Sequence, residues 1–162
     1  MLKLRKNKKG FTLVELIVVI AIMAVLAGTV AGVTASQLNK QTDKTMASEA
    51  KGIADFISTW IIENNIDLTE ATAIDGVKAS DNTTLIDALQ KQYGEEKVVS
   101  GAATDAKIGV SFVAGKKADN SADTAKNVIK VEYKGKQSGT KGDVSYTVNA
   151  EGIVAKVTPA AE

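Results

Sequence analysis

The chain has 162 residues, a length that fits one domain with one appended element. It contains no Cys and no His, which excludes a disulfide framework, a thiolate metal site and the commonest general base. The net charge of +1 hides an asymmetry: Lys3, Arg5, Lys6, Lys8 and Lys9 fall in the first ten residues, and from residue 11 onward the balance is −4. No Arg follows Arg5, so the body lacks the clustered basic residues of a dedicated nucleic-acid binder.

The first element follows the basic cluster. Between Leu16 and Val33 there are 18 residues without a charge, enough for a transmembrane helix. The preceding cations would hold the amino terminus in the cytoplasm and leave the body outside. A single acid, Glu15, stands at the start of the apolar run. Three identities fit these residues. An ordinary secretory signal would be cut after Ala35, with Val33-Thr34-Ala35 as its small residues, leaving Ser36 first. A plain membrane anchor would let Glu15 reach the cytoplasmic interface and would use Gly28-x-x-x-Gly32 to pack helices.

The third identity rests on the stretch KGFTLVELIVVIAIMAVLAG. Lys8 and Lys9 precede Gly10, Phe11 follows it, and Thr12-Leu13-Val14 lead to Glu15 at the fifth place after the glycine. A short basic leader precedes this stretch and an unbroken apolar run follows. Residues 8 to about 35 resemble the class III signal of type IV pilins and pseudopilins. The resemblance implies cutting after Gly10 by a membrane prepilin peptidase, N-methylation of Phe11, and retention of the apolar helix. It implies a residue 1–10 leader, an 11–35 helix half for membrane and filament core, and a 36–162 extracytoplasmic domain. The implied partners are identical pilin subunits in a helical filament, the peptidase/methyltransferase, a pilus assembly platform, and the membrane before assembly. Adhesion, twitching motility and biofilm growth are activities of the family. A pseudopilin of a type II secretion or competence system is the nearest alternative; a secreted or anchored binding protein is one from another class.

Gly10 has no side chain and adopts extended or unusual backbone readily, as a peptidase substrate must. Glu15 is an acid at membrane depth, where such groups are costly and partnered. After the cut it would lie one turn from a new α-amino cation on Phe11. In a stack of identical helices, Glu15 of one subunit would meet the Phe11 amine of the next and set the axial register; pairing with its own terminus is the local alternative. Gly28 and Gly32, among β-branched neighbours, lower helix propensity and mark a point of loosening or of close packing. Many Gram-negative pilins carry a proline there; this chain's only proline is Pro159.

Further along, Met46, Ala50, Ile53, Ile57, Trp60, Ile61 and Asn64 recur at three- and four-residue steps, predicting a helix that continues to about residue 64 with one apolar face. Lys40, Asp43, Lys44, Lys51, Asp55 and Glu63 are assigned to the opposite side. A helix over 11–64 would be about 80 Å long. Residues 65–105 form a connecting region, with a helical turn expected near Leu68–Ala73. Within it, SDNTTLIDALQKQYG predicts a short helix capped by Asp81 or Asn82 and ended by Gly94. Asn82-Thr83-Thr84 matches a glycosylation triplet, but a cap accounts for it more simply.

Period-2 alternation at Ile108–Phe112, Ile129–Tyr133 and Val144–Val148, then a turn into Ile153–Val157, predicts three or four antiparallel strands over 106–158. The fold class is α+β, with a long amino-terminal helix packed on an antiparallel sheet. Asp119, Asn120 and Asp123 lie in a polar loop without the spacing of a calcium site. Many members of the family close the last region with a disulfide. Without Cys this chain would rely on strand pairing and packing, which resembles Gram-positive members. The simple Ala-, Lys- and Thr-rich body suits an abundant major subunit. The sequence has no Walker or Rossmann pattern and no paired carboxylates in view, so neither an enzyme nor a cofactor or metal is expected.

Overall fold

The computed structural model describes residues 10–104, 107–117, 119–137 and 139–157, excluding the side chains of 31 and 32. The leader residues 1–9, Pro159 and the end of the expected sheet at 158 lie outside the described residues. The chain divides into two compact units, one ending at Leu38 and one beginning at Asn39. Helix α1 (Leu13–Glu63) carries residues of both, within two residues of each end expected from the periodicity.

In the first unit every described side chain from Phe11 to Leu38 is exposed. The helix is apolar around its whole circumference, and none of the described residues covers it. It is long and apolar enough to cross a membrane.

In the second unit, α1 presents Ala50, Ile53, Ala54, Ile57, Trp60 and Ile61 to a single core. Short three-ten turns at Ile74–Gly76 and Thr124–Lys126 punctuate the connections. The helical turn expected near Leu68–Ala73 is displaced to Ile74–Gly76, where Ile74 is buried. Helix α2 (Leu85–Tyr93) starts at a capping box: Thr84 Oγ1 accepts from Asp87 N at 3.1 Å, and Thr84 N donates back to Asp87 at 3.4 Å. Thr84, not Asp81 or Asn82, is therefore the cap. Asp81 instead accepts from Thr83 N, shaping the approach to the helix.

Five strands form the sheet: β1 (Val98–Ser100), β2 (Ile108–Val113), β3 (Val128–Tyr133), β4 (Val144–Asn149) and β5 (Val154–Val157). Their spatial order equals their chain order. Strands β2 to β5 pair antiparallel; β1 is an additional edge strand, parallel to β2. The alternation places Val110, Val131 and Tyr146 opposite one another across three strands, all buried. Parallel neighbours ordinarily need a crossover of a dozen or more residues. Here the connection is only residues 101–107: the chain turns back at Gly101, with φ +98°, and runs over Gly109. A Cβ at Gly109 would overlap the backbone of Ala102 and Ala103. The missing side chain is what lets the short return lie flat on the sheet. Ala103 N is held there by Glu132 Oε1 at 3.2 Å, and Glu132 also pairs with Lys130.

Asp43 corrects the face assignment made from the sequence. It is buried at 4% exposure, not on the solvent side of α1. Its Oδ1 accepts from the Tyr133 hydroxyl at 3.0 Å and from Lys136 N at 2.8 Å; its Oδ2 accepts from Gln137 Nε2 at 2.8 Å. Burial pushes the Asp43 pKa up, but the donors from Lys136, Gln137 and Tyr133 outweigh it and hold the carboxyl below its ordinary value. Burial, and then the neighbouring carboxylate, push the Tyr133 phenol up to about 12. One carboxylate thus ties the end of β3 and the loop after it to α1. Strand pairing and apolar packing are supplemented by this charged clasp. A second buried tie is Asn127, which donates to Leu68 O at 2.8 Å and accepts from Gly115 N at 2.9 Å.

The polar loop before β3 is closed by local bonds. Asp119 accepts from Ser121 N and Oγ, and Asp123 pairs with Lys126 at 2.9 Å.

Candidate processing and assembly site

Gly10, Phe11 and Thr12 precede the first helical turn in non-helical backbone. Gly10 is exposed, and a Cβ there would touch nothing within 4 Å. Packing among the described residues therefore places no demand for glycine at this position. Phe11 is 91% exposed. The bond between them lies outside the helix, flanked by a bare glycine and a protruding aromatic ring.

The helix start itself is chemically defined. Thr12 N donates to Glu15 Oε2 at 2.8 Å, Thr12 Oγ1 donates to the same oxygen at 2.9 Å, and Glu15 N donates to Thr12 Oγ1 at 3.3 Å. This is a reciprocal capping box, in which each side chain satisfies the other's orphaned N–H. The pattern T-x-x-E announces it, and it gives Thr12 a capping role beyond its place in the motif. Glu15 is thus satisfied before any cut, through one oxygen only. Phe11, Val14, Leu16, Val18 and Val19 surround it with apolar surface. The carboxylate is the one charge on that surface, and Oε1 has no hydrogen-bond partner among the described residues.

Gly28 and Gly32 both fall within α1, whose backbone is helical through them. A Cβ at Gly28 would meet nothing within 4 Å. Thr29 and Thr34 turn their hydroxyls onto their own helix, donating to Leu26 O at 3.0 Å and Val30 O at 2.8 Å. Such back-bonding hides polar groups in an apolar medium and slightly weakens the helix where it occurs.

No metal-binding cluster of acids occurs among the described residues. No curated protein and no solved structure matches the chain. Residues 5–31 match the family described as the prokaryotic N-terminal methylation motif. That match covers Gly10, Phe11 and Glu15 and most of the uncharged apolar run. The motif is one of structural subunits and not of an enzyme family, and it marks substrates of prepilin peptidase that are anchored in a membrane before assembly. Residues 5–31 thus carry the amino-terminal signal of a type IV pilin-like prepilin.

Proposed function

We propose that the chain is the structural subunit of a type IV pilus. Prepilin peptidase removes residues 1–10 after Gly10 and the new terminus, Phe11, is N-methylated. Residues 11–35 serve first as a membrane span and then as the filament core; residues 36–162 form the outer domain. Assembly on a pilus platform brings identical subunits together, with Glu15 of one facing the Phe11 amine of the next. Gly28 and Gly32 are the points where neighbouring helices pack closely or loosen. The filament serves adhesion, surface motility and biofilm growth.

The observation that carries this reading is the lone acid at the fifth place after Gly10, on a helix whose apolar surface is exposed all round. A helix of that kind needs lipid or other copies of itself, and its one charge needs a fixed counterpart in either setting. Thr12 supplies two donors, which leaves one oxygen for an ammonium. In the cut chain that ammonium would be the terminus of a neighbour.

Amino-terminal sequencing and intact mass of surface-sheared material test the reading. A start at Phe11 carrying one added methyl is expected. A start at Ser36 would assign the chain to ordinary secretion, and an intact Met1 to a plain anchor. Correct processing with retention at the envelope and no long surface filaments would assign it to the pseudopilins.

A further inference from the structure

The unit beginning at Asn39 is electrically polar from one end of its helix to the other. At the beginning, Lys40, Lys44, Lys141 and Lys156 line an open groove of about 420 Å³. Asp43 and Asp143 also line it, but both are committed. Asp43 holds the clasp, and Asp143 Oδ1 accepts from Gly135 N at 2.7 Å. Among the described residues, no ion pair joins any of the four ammonium groups to a carboxylate.

At the other end the sign reverses. Residues 63–87 carry Glu63, Asp67, Glu70, Asp75, Asp81 and Asp87 against Lys78 alone. All six acids are exposed, and none is in an ion pair among the described residues. Asp67 and Glu70 line a polar groove of about 430 Å³. From Lys40 to Glu63 the helix rises roughly 35 Å at 1.5 Å per residue. That separation exceeds the screening length of about 8 Å at physiological salt, so the two patches do not neutralise each other within one chain.

A second copy resolves both. We propose that the groove of Lys40, Lys44, Lys141 and Lys156 receives the acidic end, Glu63 to Asp75, of the next copy. The contact is head to tail: two different patches of the same chain meet, each subunit offering one at either end. Contacts of that kind build open filaments when the rotation between copies does not close a ring. Individual exposed pairs are weak, but a cluster of them sets approach, orientation and register. The inference rests on the filament reading and adds to it a docking surface outside the apolar helix.

Two double reversals and their combination test it in the full-length chain. Among the described residues, Lys40, Lys44, Glu63 and Glu70 make no side-chain hydrogen bond or ion pair, so both double variants, K40E/K44E and E63K/E70K, should fold, with melting as the control; K40E/K44E loses a little stability to the carboxylates of Asp43 and Asp143 in the same groove. Each should lower surface filaments about tenfold, the scale of one or two lost charge contacts per interface. The quadruple variant K40E/K44E/E63K/E70K has wild-type net charge and restores opposite signs where positions 40 and 44 meet 63 and 70, with Lys141, Lys156, Asp67 and Asp75 unchanged, and it should regain filaments relative to either double variant. Sedimentation of the purified full-length chain in detergent is the parallel readout, with association at low salt that is lost at high salt and in each double variant. Filaments formed normally by both double variants would overturn the docking surface and leave the filament reading standing. Salt-sensitive association without filaments in the wild type would do the reverse. A folded quadruple variant no better than either double would also overturn the docking surface.

Discussion

Replacing Asp43 with Ala should be among the most damaging single changes outside the apolar core. The carboxylate accepts three hydrogen bonds, from Tyr133, Lys136 and Gln137, at 2.8–3.0 Å. Bonds to a charged acceptor contribute about 1.5–3 kcal/mol each before re-solvation of the partners. Lys136 and Gln137 lie on a loop that water reaches and would recover part of that loss. Tyr133 is 1% exposed, so its hydroxyl would remain stranded. The expected destabilisation is about 3–4 kcal/mol, near the upper end for one substitution. Tyr133→Phe removes one bond and should cost about 1–1.5 kcal/mol. The double variant should cost less than the two changes added together, by about 1–2 kcal/mol. Trp60 is the only tryptophan and is buried in the same core, so urea unfolding of the full chain can be followed by its fluorescence. The pH dependence has two limbs. The Asp43 pKa is lowered on folding, so its contribution is complete above the unfolded value of about 3.9 and is lost as pH falls through the folded value. The Tyr133 pKa is raised from 10.0 to about 12, so its contribution holds below pH 10 and is lost as pH climbs towards 12. That alkaline limb amounts to roughly 3 kcal/mol and should be absent in Tyr133→Phe. An Asp43→Ala protein within about 0.5 kcal/mol of wild type would refute the clasp, since that is the range of an ordinary surface substitution.

Other expectations concern separate parts of the chain. Glu15→Ala should leave processing and membrane insertion largely intact while abolishing or strongly reducing filaments; wild-type filament yield from it would sink the register role. Thr84→Ala should cost about 1 kcal/mol in thermal or urea unfolding by removing the cap of α2, and Thr84→Ser should restore it. Gly109→Ala should destabilise by about 2 kcal/mol, because its Cβ would meet the backbone that returns from β1. An unchanged melting curve for that variant would mean the return from β1 can lift off the sheet at no cost.

The elements that could be read from the sequence are those whose signal repeats. Steps of three and four residues mark α1, and alternation marks β2 to β5, because each depends on one face meeting a core. Strand β1 escaped because three residues cannot show a period and Val98-Val99 looks like any apolar pair. Asp43 was misplaced because a charge on an amphipathic helix is ordinarily solvated, and its partners lie about ninety residues away in sequence. A trace was present, since Asp43 is three residues before Met46 and so extends the apolar stripe by one step. The cap of α2 was misplaced by a few residues because Asp81, Asn82 and Thr84 all suit the position and only the backbone turn selects among them. At the amino terminus Gly10, Phe11 and Glu15 stood out as a motif. The Thr12 box is equally local, and its T-x-x-E spacing overlaps that motif.

The sequential order of the sheet has a consequence for how the chain acquires its fold. Each strand pairs with the one made just before it, so every pairing closes a short loop and none waits for a distant segment. Short-range closure is fast. The costly step is the meeting of the finished meander with α1, which joins residues about ninety apart through Asp43 and the apolar stripe. Until then Ile53, Ile57 and Ile61 face water on a helix already able to form. The topology therefore predicts that docking of the sheet on α1 limits the rate at which the outer domain folds, so truncations on the buried face of α1 should slow refolding.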